Sequence, residues 1–146
     1  MGNYNFKKDL AISESEVPEV FEKIKKTFVG IKNLHHPEGY LKEYDITGTF
    51  NDLPVTFEVK NDKMSNETGN FGIEYESWGK PSGIATTTAK YWIHQMYGDY
   101  YITPTKVVRD MIAQKEYFRT VSGGDKGSNT KMYLFKKNCL SRWKKM

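Results

Sequence analysis

Apolar residues recur along the chain with two spacings, one near 3.6 residues and one of two, and the switches between them predict the elements. Val17, Val20, Phe21, Ile24 and Phe28 follow helical spacing. Ser15 ahead of them suits an N-cap, Pro18 falls in the first turn and Gly30 closes the run, which predicts an amphipathic helix over about 15–30. Residues 41–50 and 53–60 are instead rich in aromatic and β-branched types with partial alternation, and Asn51-Asp52 between them suits a tight hairpin turn. Residues 71–76 alternate as a third strand, with Phe71, Ile73 and Tyr75 toward the core, expected to pair antiparallel with 53–60. Ile84, Ala85, Ala89, Trp92, Ile93 and Met96 predict a second helix over 84–97, residues 99–103 a fourth strand, and Val107, Val108, Met111 and Ile112 a third helix from Pro104 to about Gln114. A glycine-bearing connector at 122–129 leads to a last strand at 131–136. The order helix, three strands, helix, strand, helix, strand is that of an α+β or mixed α/β domain.

Composition narrows this to one globular domain covering residues 1–146. At 38% hydrophobic and 14% aromatic residues the chain is too apolar for disorder, and no run approaches the ~20 apolar residues of a membrane span. The first fifteen residues lack the apolar core of a signal peptide. A single cysteine, Cys139, makes no internal disulfide and suits a reducing cytosol, so a cytoplasmic protein without membrane contacts is expected. The connector at 122–129 carries neither phosphate-loop nor dinucleotide-binding glycine patterns, so no small-molecule cofactor is expected. His35 and His36 are adjacent, with no second His or Cys pair at ligand spacing, which argues against structural zinc.

Charge divides the chain. Residues 1–100 hold 11 Lys against 15 acidic residues, while residues 101–146 hold 11 Lys or Arg against three acids, so a net −4 is followed by a net +8. From Lys136 to Met146 there are five positive charges and no negative one. Such a half suits a phosphate backbone or a solvated surface.

The hairpin carries the chemistry. If Phe50 pairs with Leu53, then Asp45 falls opposite Glu58, and with a period of two Glu58 and Lys60 share that face. Ile46, Phe50, Val55, Phe57 and Val59 take the other face. Facing carboxylates repel unless a cation lies between them, and a lysine two residues on offsets only part of that. A hard divalent ion such as Mg²⁺, with Mn²⁺ as its substitute, suits the pair, leaving Lys60 for a substrate phosphate or the attacking water. Glu74 on the third strand is a candidate further acid, as metal ligand or orienter; its other reading is a solvent-exposed residue. On the first helix Glu14 and Glu16 lie near the edge of the apolar stripe and Glu19 and Glu22 away from it, all four suited to a helix N-terminus. Ser82, Thr87 and Thr88 at the start of the predicted second helix offer either phosphate contacts or ordinary caps, and Lys126 and Lys131 offer backbone contacts.

Asp45, twelve intervening residues and Glu58-Val59-Lys60 resemble the D…ExK signature of the PD-(D/E)XK nuclease superfamily. Tyr44 stands where that motif carries a proline. The spacing is also similar to that of the archaeal Holliday junction resolvases. The resemblance extends over about residues 15–103, because the predicted order is similar to the restriction-endonuclease-like αβββαβ core, a central mixed sheet flanked by helices; residues 104–146 would be a basic extension. What it implies is a Mg²⁺-dependent endonuclease on DNA, structure-selective or weakly sequence-selective. Asp45 and Glu58 would hold metal, the Val59 carbonyl would be a further ligand, Lys60 would stabilise the scissile phosphate, and a homodimer would form if both strands are cut. Two other classes remain open: a nucleic-acid-binding protein of the same fold without catalysis, and a partner-binding α+β domain whose ExK is accidental.

Overall fold

The computed structural model describes residues 14–37, 43–62, 68–123 and 127–146. Helix α1 spans Val17–Thr27 behind a 3-10 turn at Glu14–Glu16, so Glu16 rather than Ser15 stands at its N-cap. Its stripe is as predicted: Val20 and Ile24 are buried, with Val17, Phe21 and Phe28 packed beside them. The strands are β1 Lys32–His35, β2 Ile46–Phe50, β3 Leu53–Asn61, β4 Asn70–Ser77, β5 Lys80–Pro81, β6 Tyr91–Met96 and β7 Asp99–Pro104. Helix α2, Thr105–Ala113, starts directly after Pro104, and β8 Arg119–Gly123, β9 Thr130–Lys136 and β10 Lys144–Lys145 complete the described chain. Among the described residues no helix is long and apolar enough to cross a membrane.

This is a mixed α+β fold. Six strands form one sheet in the order β1-β2-β3-β6-β7-β10, and four form a second in the order β5-β4-β9-β8. The larger sheet is mixed, since β3 and β6 run parallel while its other neighbours are antiparallel. The hairpin has the predicted register, from Phe50 opposite Leu53 to Ile46 opposite Phe57. Asn51 and Asp52 both adopt positive φ, 54° and 65°, the geometry of the primed two-residue turns whose twist matches that of the strands.

Two predictions are corrected. The strand at 71–76 exists, within β4, but it pairs with β9 and β5 in the second sheet; the edge of β3 it was expected to fill is taken by β6. Residues 84–97 are not a helix: Gly83–Ala85 is a 3-10 turn, and β6 follows an irregular threonine stretch. β6 lies in the middle of the sheet, with Trp92, Ile93, His94 and Met96 all buried, so both its faces are covered and no alternation of apolar and exposed polar positions marks it as a strand. The second sheet escapes the sequence because β4 finds its partner some sixty residues on, a non-local pairing that periodicity does not encode. Strand β1 at 32–35 and β8 at the start of the predicted connector were also unanticipated. The tail is not simply solvated: Leu140 and Trp143 are buried.

The two faces of the large sheet carry separate cores. On one, Ile46, Val55, Phe57, Val59, Ile93, Tyr100 and Ile102 pack with Val20 and Ile24 of α1. On the other, Trp92 and Met96 meet Phe71, Ile73 and Phe135 of the second sheet, Val108 and Met111 of α2, and Trp143. The hairpin's apolar face is the one beneath α1, which sends Glu58 and Lys60 toward the second sheet.

Candidate active site

Asp45, just before the start of β2, converges with Glu58 and Lys60 of β3. The Asp45 amide donates at 2.9 Å to the carbonyl of Phe57, the residue opposite Ile46, and the Val59 amide donates to Asp45 Oδ2 at 2.8 Å. The Val59 side chain lies buried on the α1 face. His36 Nδ1 donates to the Asp45 carbonyl at 2.7 Å, so the histidine paired with His35 in the sequence braces the hairpin from β1. Lys60 Nζ lies 3.4 Å from Glu58 Oε2, in an ion pair whose side chains are 18% and 8% exposed.

Burial shapes the electrostatics. It pushes the Glu58 carboxyl up to about 7, the negative charge of Asp45 adds to this, and Lys60 and the Thr87 hydroxyl oppose it. Burial likewise raises Asp45 above the ordinary carboxylate value, against the lowering effects of Lys60, the Val59 amide and His36. For Lys60 burial acts downward but is outweighed by the charges of Glu58, Glu74 and Asp45, which hold the ammonium protonated beyond lysine's usual range.

The threonine stretch after the 3-10 turn is a strap across both acids. Thr87 Oγ1 lies 3.0 Å from Glu58 Oε1 and 2.8 Å from the Glu43 carbonyl, and it accepts the Ala89 amide. A hydroxyl has one proton, so Glu58 and Glu43 compete for it. The Thr88 amide also donates to the Glu43 carbonyl, at 2.8 Å, which fixes the chain two residues before Asp45. Arg109 of α2 holds the strap from behind, its Nη2 donating to the carbonyls of Thr87 at 2.7 Å and Ile84 at 3.1 Å. At Gly83, with φ at 56°, a Cβ would fall 2.3 Å from the Glu74 carbonyl oxygen, so only glycine lets the strap approach β4 this closely.

The remaining predicted residues separate. Glu74 reaches the site from the second sheet rather than from a strand beside β3; it is 8% exposed, and its Oε1 is buried without a hydrogen-bond partner. Glu16 accepts from Asn61 Nδ2 at 2.7 Å and Glu19 from the Tyr100 hydroxyl at 2.6 Å, while Glu22 pairs with Lys25 on an exposed surface and Glu14 is exposed. Val20, Val59 and Tyr100 pack on the α1 face, opposite Glu58, so Glu19 at least is engaged away from the acid pair. The helix N-terminus expected to present Ser82, Thr87 and Thr88 is not formed; Ser82 and Thr87 are buried, and Thr88 is exposed. Lys131 pairs with Glu76 at 3.1 Å, and Lys126 lies outside the described residues.

A second buried polar cluster went unread in the sequence. His94 lies beside Lys60 across the β3–β6 pair, and its Nε2 is 2.9 Å from Asp62 Oδ2. Trp92 Nε1 donates to His94 Nδ1, and since an indole nitrogen only donates, the imidazole proton is on Nε2, directed at Asp62. Asp62 Oδ2 also accepts the Gly72 amide, tying the two sheets together. Alternation of Trp92 and His94 was the available signal, hidden by the helical reading of the same residues.

Comparison of the chain with protein-family models, with curated proteins and with solved structures finds no match. Among the described residues no three His, Cys, Asp or Glu side chains form a metal-binding group. The site offers a pair of hard oxygen donors, Asp45 and Glu58, with Glu74, whose Oε1 has no hydrogen-bond partner, close enough for its charge to act on Lys60. Such a set fits an ion that takes one or two carboxylates and keeps several waters, as Mg²⁺ does.

Proposed function

We propose that the chain is a cytoplasmic, Mg²⁺-dependent nuclease that hydrolyses DNA phosphodiester bonds, related in fold to the restriction-endonuclease-like proteins. The observation that carries the reading is the crowding of Asp45, Glu58 and Lys60 on one buried sheet face, with both carboxyls raised above their ordinary values. Structural ion pairs gain nothing from such crowding, whereas a site awaiting a divalent ion and a phosphate does. The strand arrangement adds support. Helix α1, three strands in antiparallel succession and a strand parallel to the third are in keeping with part of the αβββαβ order; no helix stands where that order has its second one, and strands β4 and β5 and the strap lie there instead.

In this reading Asp45 and Glu58 hold the ion, which when bound would activate water and balance charge on the phosphate. Thr87 and the Val59 amide orient the two carboxylates. Lys60 supplies positive charge to the phosphate as negative charge builds on its oxygens. The basic C-terminal third holds the flanking backbone through electrostatics independent of sequence. The test is incubation with supercoiled, linear, single-stranded and branched DNA in Mg²⁺, Mn²⁺ or EDTA. Metal-dependent cutting is expected, lost in Asp45→Asn, Glu58→Gln and Lys60→Ala proteins that remain folded. Undiminished cutting by all three variants would end the assignment.

A further inference from the structure

The carboxylate pair already has a cation beside it, and its position bears on how a metal could enter. Lys60 Nζ is 3.4 Å from Glu58 Oε2, and the charges of Glu58, Glu74 and Asp45 all act on it. The other described lysine and arginine pairs lie elsewhere, Lys25 with Glu22, Lys131 with Glu76, Arg142 with Glu116 and Lys145 with Asp99, and His94 beside Lys60 is turned to Asp62. Arg109 is turned to the backbone of the strap. Lys60 is thus the balancing lysine of the metal-free site, on a flexible stem that lets its charge move. A divalent ion on the Asp45 and Glu58 oxygens would lie within a few ångströms of that ammonium in a poorly screened interior, and the two cations would repel.

Glu74 offers the exit. It belongs to the second sheet, its charge already acts on Lys60, and its Oε1 is buried without a hydrogen-bond partner. An unpaired buried carboxylate oxygen is costly to maintain, and an ammonium arriving there would satisfy it. We propose that Lys60 is the resident counter-cation of the metal-free site, that a divalent ion binds in exchange for it, and that Glu74, instead of ligating the metal, receives the displaced ammonium until a substrate phosphate draws it back. The inference rests on the metal-binding part of the proposed function. It makes Glu74 a positioning residue and predicts that metal affinity is set by competition within the chain.

Calorimetric Mn²⁺ titration of the full chain tests this through a double-mutant cycle. Lys60→Met should bind Mn²⁺ at least about tenfold more tightly than the unaltered protein, since the competitor is gone. Glu74→Gln should bind several-fold more weakly, and most of that loss should vanish in the Lys60→Met background. A Lys60→Met protein that binds no tighter overturns the exchange, and an equal loss from Glu74→Gln in both backgrounds makes Glu74 an ordinary ligand and overturns it too. If Lys60→Met does not fold, Mg²⁺ titration of the unaltered protein followed by the NMR signal of the Lys60 Cε methylene decides: a saturating shift supports the exchange, and an unmoved signal overturns it. Absence of metal binding in every protein overturns this inference together with the metal reading. The expected binding pattern without any DNA cutting supports the exchange and removes the nuclease reading alone.

Discussion

Two buried polar clusters lie side by side on one face of the large sheet, and they are built on opposite principles. Around His94 the Trp92 indole donates to Nδ1, Nε2 donates to Asp62, and Asp62 also accepts the Gly72 amide. One residue across the β3–β6 pair, Lys60 is shared among three acids, Thr87 has one proton for two acceptors, and Glu74 Oε1 has no partner. A satisfied network in a low-dielectric interior fixes a structure, whereas unsatisfied, crowded charges are what a binding site would show before its ligand arrives. The first cluster is a joint between sheets, and the second carries the proposed site.

That contrast is open to direct attack. The largest expected effect is on chemistry: Glu58→Gln should lower metal-dependent cutting by at least about 10²–10³-fold, while its melting temperature in EDTA at pH 8 should not fall. A destabilised but active Glu58→Gln protein would put Glu58 among the structural residues. Next, Asp62→Asn should destabilise by about 2–4 kcal/mol, because it leaves buried donors poorly matched. The melting temperature should drop by several degrees while cutting per folded molecule stays within about tenfold. Lost cutting at unchanged stability would exchange the roles of the two clusters.

Of similar size is a pH dependence. Glu58 is raised from its ordinary 4.5 to about 7 in the folded chain, and Asp45 is raised as well. A raised carboxyl binds its proton more tightly when folded, so the metal-free protein should gain stability as pH falls through about 7 toward 4.5 and lose it as pH rises again. The change should be of order 2–3 kcal/mol for Glu58, read from melting in EDTA at several pH values, and Glu58→Gln should flatten it. Mn²⁺ should flatten it too, by holding the carboxylates ionised. Smaller still, Arg109→Gln should cost about 1 kcal/mol and about tenfold in cutting rate by loosening the strap. Thr88→Ala should change stability by less than about 0.5 kcal/mol in thermal melts, since its exposed hydroxyl makes only a 3.4 Å contact with Glu43 while its amide holds the strap.

How far the sequence could be read depended on the range of the forces involved. The α1 stripe, the hairpin turn at Asn51-Asp52 and its register are set by neighbours within about fifteen residues, and period and turn chemistry predict all three. Because side chains alternate strictly along a strand, that register alone put Glu58 and Lys60 on one face and Asp45 within reach of them. β6 was misread because its burial on both faces erases the alternation that marks a strand. The strap is hidden with it: threonines whose pattern suits helix caps or phosphate contacts hold Glu58 and Glu43 instead.

What local pattern determined, then, is the helix, the hairpin and the trio of charges upon it. What only tertiary structure decided is their surroundings: β6 closing the sheet in parallel, the second sheet bringing Glu74 to Lys60, and Arg109 reaching from α2 to the strap. The physical reason is that covalent neighbours fix which way a side chain points, whereas burial, pairing and a shifted pKa depend on groups tens of residues away, which sequence spacing does not record.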